Sequence, residues 1–210
     1  MTLQSWWLFV CANFLISAMP GPNMLHVMNQ GMRQGIGRTT FTMAGCMAGL
    51  FTLFGLSAMG MSALLAALPQ LLTAIKIAGA LYLVWLGIKS WRDDSAPIDI
   101  GSDDGGAVRK TAFELFRAGF LISISNPKAM IFAAAFFPQF VDQALPKLPQ
   151  FTIMLATFVV IEMSWYMIYA TGGRTLARFI RDAAWQRRFN RTNGALFILF
   201  GASLLAWRPK

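Results

Sequence analysis

The sequence predicts an all-α integral membrane protein: six transmembrane helices forming two inverted three-helix repeats, with helices one and four broken. Three observations predict it. Only 13% of the 210 residues are charged and 56% are apolar, about half the charged share of a soluble domain. A span takes ~20 mostly apolar residues, so six spans use ~120 and leave ~90 for loops and ends, too few for a large extramembrane domain. Two helix-breaking motifs also recur at an offset of 106 residues, in the first and fourth apolar stretches.

The first stretch, Trp6 to Met28, is apolar apart from Asn13, Ser17 and the Pro20-Gly21-Pro22-Asn23 break. No Lys or Arg precedes Arg33, so the stretch lacks the basic flank of a signal peptide and reads as a retained span. From Thr39 to Ile75 there is no charged residue, which gives a second span at about Thr40–Leu65, a turn at Leu68-Pro69 and a third span at about Leu71–Ile88. The linker Asp93–Gly106 holds five aspartates, but their spacing fits no EF-hand loop, and it reads as a solvated connector. Span four is expected at about Arg117–Phe137, closed by Pro138; span five at about Phe151–Thr171, closed by Gly172-Gly173; span six at about Asn193–Trp207. The chain is then one membrane domain, 1–210, with repeat one at about 1–92, the linker at 93–106 and repeat two at about 107–210.

The duplication rests on two matches in consistent order. Phe14-Leu15-Ile16-Ser17 returns as Phe120-Leu121-Ile122-Ser123, which sets Pro20-Gly21-Pro22 against Asn126-Pro127-Lys128. Gly79-Ala80-Leu81-Tyr82-Leu83 resembles Gly194-Ala195-Leu196-Phe197-Ile198, and both stretches run on to Trp-Arg. Each copy has an odd number of spans, so the second enters the membrane from the opposite side, an inverted repeat of the kind found in many secondary transporters.

The net charge of +9 is compatible with nucleic acid, anionic lipid or the positive-inside rule, and its distribution decides. Thirteen basic residues fall in the loops after spans one, three and five, against four on the other face. Both termini are therefore expected outside. The Arg-rich segment 174–191 is expected to be an amphipathic helix against cytoplasmic lipid, which excludes a nucleic-acid partner. Cys11 and Cys46 form no C-x-x-C pair and His26 is the single histidine, so no metal or other cofactor is called for.

Two charges remain inside the spans. Lys128 lies nine residues from each end of a span at Gly119–Phe137, about 14 Å from either surface at ~1.5 Å per residue. Glu162 is placed similarly in span five. Each costs ~2.5–3.5 kcal/mol to insert, so each is expected to face protein or water and to have a function. Pro20 and Pro22 must unwind span one, while Asn126-Pro127 reads as an N-cap with proline at the first helical position, restarting span four at mid-membrane. Inverted topology brings the breaks together, where half-helix N-termini and the Lys128 ammonium suit an anionic group, most simply a carboxylate. Gly45 and Gly49 have the small-xxx-small spacing of close helix packing, and their face makes a homodimer reasonable.

These motifs, Pro20-Gly21-Pro22-Asn23, Gly45 and Gly49, Gly79-Ala80-x-Tyr82-Leu83, Asn126-Pro127-Lys128-Ala129, Pro138-Gln139-Phe140 and Gly194 to Gly201, together resemble the LysE/RhtB amino-acid exporters over nearly the whole chain. The resemblance implies a transporter rather than an enzyme, in a bacterial inner membrane, exporting amino acids or close derivatives (homoserine, its lactone, threonine, leucine or basic amino acids) by proton antiport. It implies a substrate site at Pro20, Gly21, Pro22, Asn23, Asn126, Pro127 and Lys128. Glu162 is the expected proton-coupling group. The alternative is export of another small solute or cation. An intramembrane redox enzyme ranks lower, because the repeat positions of Cys11 and Cys46 are Arg117 and Thr152 and supply no second thiol.

Overall fold

The computed structural model describes residues 1–67, 77, 80, 81, 84, 85, 87–89, 91, 92, 109–136, 140–142 and 144–206, and among them every regular element is helical. Helix α1 spans Leu3–Ala18, opened by Thr2, whose hydroxyl accepts from the Ser5 amide at 3.1 Å. It stops because Pro20 forces Met19 into an extended conformation (φ −66°, ψ 131°). Helix α2, Pro22–Gln34, starts with proline at its first position. It is set at 54° to α1, so the break expected in span one is present. Gly35, at φ 78°, closes α2 in the left-handed region that favours glycine and releases the chain into α3, Ile36–Ala67.

Helix α4, Ala112–Ile124, begins with a capping box in which the Thr111 hydroxyl accepts from the Glu114 amide and the Glu114 carboxylate accepts from the Thr111 amide at 2.7 Å. Those bonds hold the exposed Glu114 carboxyl below the usual carboxylate range. After Ser125 and Asn126, α5 restarts at Pro127 and runs to Ile131, so span four is broken where the Asn-Pro pair places the break. A π-helical turn, Phe132–Phe136, follows. Helix α6 is Lys147–Arg181, and α7 is Ala183–Ala206.

Gly172-Gly173 closes span five as expected: the apolar stretch of α6 runs over Lys147–Gly173, where Gly173 leaves helical geometry (φ 3°, ψ −90°), and a helical segment beyond that kink continues to Arg181. The expectation for the Arg-rich segment 174–191 is corrected: it is not a single helix. It is divided between the end of α6 and the start of α7, because Asp182 interrupts the helix and its carboxylate accepts from the Ala184 and Trp185 amides at 2.9 and 2.8 Å, capping α7. The acidic linker 93–106, most of span three, Pro138 and the end of span six lie outside the described residues. Among those described, α3 over Ile36–Ala58 and α6 over Lys147–Gly173 are long and apolar enough to cross a membrane, with mean hydropathies of 1.6 and 1.7, and the bent pair α1 and α2 makes a third.

Named contacts give the relative directions of the helices. Trp6 donates to the Thr157 hydroxyl, Phe14 packs on Trp165 and the Tyr169 hydroxyl donates to the Ala18 carbonyl, so α1 and α6 run parallel. Gly45 meets Phe116, Gly49 meets Phe120 and Ser123, and the Ser57 hydroxyl reaches the Ala133 carbonyl, so α3 runs parallel to α4 and its continuation. Gly87 abuts Gly194 while Ala80 abuts Gly201, so the helical positions described between 77 and 92 run antiparallel to α7.

The α3–α4 interface is the most extensive among the described residues, and its closeness rests on three glycines. A Cβ at Gly45 would lie 2.0 Å from the Phe116 carbonyl oxygen, and one at Gly119 would lie 2.3 Å from the Thr42 oxygen. The small-residue face of span two is therefore filled by α4 of the same chain and does not offer the surface on which a homodimer was expected. Gly45→Ala is expected to lower the melting temperature in detergent, at a cost of about 1–3 kcal/mol from overpacking against backbone. Gly55, with nothing within 4 Å of its Cβ position, is expected to tolerate alanine or gain up to ~1 kcal/mol. Equal melting of the two variants would contradict the packing described.

Candidate functional site

The two breaks meet inside the bundle. Asn23, one residue into α2, is buried and saturated: its amide nitrogen donates to the Ser123 hydroxyl at 3.0 Å and to the Tyr166 hydroxyl at 3.2 Å. Its oxygen accepts from Asn126 at 3.1 Å. Asn126 uses its own oxygen to cap α5, accepting the Lys128 amide at 3.0 Å. Ser123 passes its proton on to the Cys46 carbonyl at 2.9 Å. One polar cluster thus ties α2, α3, α4, α5 and α6 together at the level of the breaks.

The end of α1 is satisfied by side chains from elsewhere. Helix C-termini leave carbonyls unpaired, and in a membrane no water replaces the lost partners. The Lys128 ammonium donates to the Ile16 oxygen at 2.6 Å and to the Met19 oxygen at 3.2 Å, and Tyr169 donates to the Ala18 oxygen at 2.8 Å. Sequence reasoning aimed Lys128 at a bound anion; in this conformation two of its hydrogens cap α1, and the third has no protein partner among the described residues. Bonds to a charged donor contribute about 1.5–3 kcal/mol each. Two of them offset the ~2.5–3.5 kcal/mol cost of a lysine at this depth.

Between the breaks lies a cavity of about 30 Å³ lined by Gly21, Asn23, Asn126, Lys128 and Glu162, together with Asn13 and Ser17 of α1 and an apolar wall that includes Met24, Leu50, Phe132 and Phe158. At ~10–15 Å³ per water it has room for about two waters. Glu162 is buried (7% exposed), with the Ser17 and Tyr166 hydroxyls facing its carboxyl and Lys128 acting on it electrostatically. The cavity lining therefore includes a cation, beside Gly21 at the start of α2, and a carboxyl.

Five of the eight expected site residues line this cavity. The other three, Pro20, Pro22 and Pro127, make the breaks. Gly21 sits at φ −119°, and a Cβ there would be 3.5 Å from the Lys128 nitrogen, so neither conformation nor space in this arrangement demands glycine. Sequence reasoning missed Asn13, Ser123, Tyr166 and Tyr169. A signal existed, since Glu162, Tyr166 and Tyr169 stand at i, i+4 and i+7 on one face of an apolar helix, as Asn13 and Ser17 do at i and i+4.

Comparison with known proteins gives the family. The sequence matches the LysE type translocator family over residues 14–207. The chain belongs to that family. It is 31% identical over 208 residues to the homoserine/homoserine lactone efflux protein of Salmonella typhimurium, covering 99% of each chain. It is also 30% identical over 207 residues to the leucine efflux protein of Enterobacter sp. (strain 638), covering 95% of this chain and 94% of the relative. An uncharacterized membrane protein of Vibrio cholerae is 31% identical over 204 residues. No solved structure matches. This LysE type translocator is a membrane transporter of an amino-acid efflux family, and not an enzyme.

Asn126→Ala is expected to lower the melting temperature through loss of the α5 cap, about 1 kcal/mol, and through the unpaired Asn23 oxygen, about 1–3 kcal/mol. Asn126→Asp keeps the cap but replaces the donor facing Asn23 with an acceptor, and is expected to destabilise as well. Parent-like melting of both in detergent would show that the cluster does not hold the breaks.

Proposed function

We propose that this translocator exports amino acids or close derivatives across the bacterial inner membrane, from the cytoplasm outward, by proton antiport, and binds them between its two breaks. The observation that carries the reading is the cavity itself, which sets Lys128 and Glu162 on the walls of one small space. An amino acid is a carboxylate and an ammonium on one carbon. The third hydrogen of Lys128 and the N-terminal amides of α2, backed by its helix dipole, are the partners of the carboxylate. Glu162 is the partner of the ammonium. Pro20, Gly21, Pro22, Asn23, Asn126 and Pro127 shape and hold the place where they meet. The names of the relatives support the substrate class. A space for about two waters must widen to admit an amino acid, so transport requires the breaks to move.

The threading belongs to the same proposal: six spans in two inverted repeats, both termini outside. Supporting it, spans one and five run parallel, spans two and four run parallel, and spans three and six run antiparallel, the directions that six alternating crossings require. An inverted two-fold exchanges the first two of these pairs with one another.

Coupling follows from competition. With substrate bound, Glu162 is held by the substrate ammonium; once the substrate leaves, the carboxyl takes a proton or turns to Lys128. Lys128→Met, which keeps the chain volume and removes the charge, is expected to abolish export at parent-like levels of folded protein. Undiminished transport would make the lysine a capping residue alone. Glu162→Gln is expected to exchange labelled for unlabelled substrate across vesicles but not to concentrate it under an imposed pH gradient; parental accumulation would move the proton elsewhere. For orientation, Ala184→Cys in a Cys11→Ser background is expected to react with an impermeant maleimide in inside-out vesicles and not in intact cells. The opposite pattern would invert the topology.

A further inference from the structure

The groups assigned so far recognise what every amino acid has in common. Lys128 and Glu162 engage the α-carboxylate and α-ammonium, and neither selects among side chains. Most other polar groups on the wall are committed: Asn23 and Asn126 to each other and to their neighbours, and the Ser17 hydroxyl to the Asn13 oxygen at 3.4 Å. Asn13 is different. It is completely buried, it lines the cavity, and its amide nitrogen has no hydrogen-bond partner among the described residues.

A buried amide donor is costly to leave unmade, so a site that contains one discriminates by what it is offered. From Asn13 and its surroundings we infer that this residue selects the substrate side chain, favouring a short amino acid that ends in a hydroxyl or carbonyl oxygen over an aliphatic one of the same size. The apolar wall of Ile16, Met24, Leu50, Phe132 and Phe158 packs the stem of either. Only the oxygen-bearing side chain gives the Asn13 nitrogen an acceptor. An aliphatic one displaces whatever water satisfies that nitrogen and returns no hydrogen bond. The asymmetry is a general one: a pocket built to hydrogen-bond a substrate group rejects the analogue lacking it far more strongly than an apolar pocket rejects an added hydroxyl. The inference rests on the transport reading above, and it assigns the selection to one residue of α1.

The test uses the full-length protein in proteoliposomes loaded with homoserine, with uptake of labelled homoserine by counterflow. Unlabelled homoserine and norvaline compete, the second carrying a methyl in place of the hydroxyl; threonine and valine repeat the comparison. The parent is expected to be inhibited by the hydroxylated compound at roughly tenfold lower concentration, or better, than by its isostere. Asn13→Leu is expected to bring that ratio to about one or reverse it, and Asn13→Ser, which restores a short donor, to recover part of it. A parent ratio of one, or a parental ratio in Asn13→Leu, overturns the assignment. Should Asn13→Leu fail to fold, the parent ratio and Asn13→Ala decide in the same way. Absence of any amino-acid exchange by the parent overturns the transport reading and this inference with it, whereas exchange at equal ratios overturns this inference alone.

Discussion

A backbone broken inside a membrane has to find its hydrogen-bond partners in protein, and the centre of this molecule is organised by that requirement. Pro20 ends α1 in the middle of span one, leaving the carbonyls of Ala18 and Met19 without helical partners and that of Ile16 with only the Met19 amide, at 3.3 Å. An open helix end in hydrocarbon is not viable. Lys128 arrives from the second break and Tyr169 from span five, and between them they cap the three carbonyls. The same need at the second break is met locally, by Asn126 over the Lys128 amide. The first break is thus completed by residues from the other half of the chain and the second by its own Asn126, which is tied in turn to Asn23, and several of the polar groups gathered for that purpose also wall the cavity.

Close packing elsewhere makes this arrangement definite. Within lipid, apolar burial adds little to helix association, and contact depends on how nearly the backbones approach. Gly45 and Gly49 let α3 sit against α4 so closely that the Ser123 hydroxyl reaches the Cys46 carbonyl at 2.9 Å, which in turn fixes Ser123 as the acceptor for Asn23. Phe54 meets Phe158 edge-on at 4.7 Å and Phe132 at 6.1 Å beside the cavity, filling the space next to it with rigid rings. A chain of this kind runs from glycine spacing to helix distance to hydrogen-bond register.

The sequence made legible those features whose cause is local. Pro20, Pro22 and the Asn126-Pro127 pair act on their own backbone, and both breaks stand where they were expected. Lys128 and Glu162 were legible because a charge in an apolar run is conspicuous for its cost. Contributions that depend on a partner far along the chain were not legible. Nothing near Tyr169 in sequence shows that its hydroxyl will cap a helix 151 residues earlier. Gly172-Gly173 was legible as the close of span five, since glycine weakens a helix and lets it kink, whereas the interruption at Asp182, whose carboxylate offers the following amides a competing acceptor, was not. The Gly45 and Gly49 spacing announced a close helix neighbour without saying whose, and the neighbour is α4.

Lys128 joins the structural and the chemical roles of the site. Its two bonds to α1 carbonyls hold the halves of the molecule together at the breaks, and its remaining hydrogen borders the cavity. A ligand carboxylate that takes only this third hydrogen leaves the clasp intact and strengthens the cross-link. A carboxylate that draws the ammonium away from Ile16 and Met19 leaves the Met19 carbonyl unpaired and that of Ile16 with the Met19 amide alone, so the end of α1 gains by shifting toward other donors. No side-chain cap occupies the start of α2, on the far side of the 54° bend, and helix N-termini offer free amides of that kind. One ammonium thus links what the cavity holds to the bend between α1 and α2. A ligand changes the geometry of such a break only by the difference between its contacts in the two states.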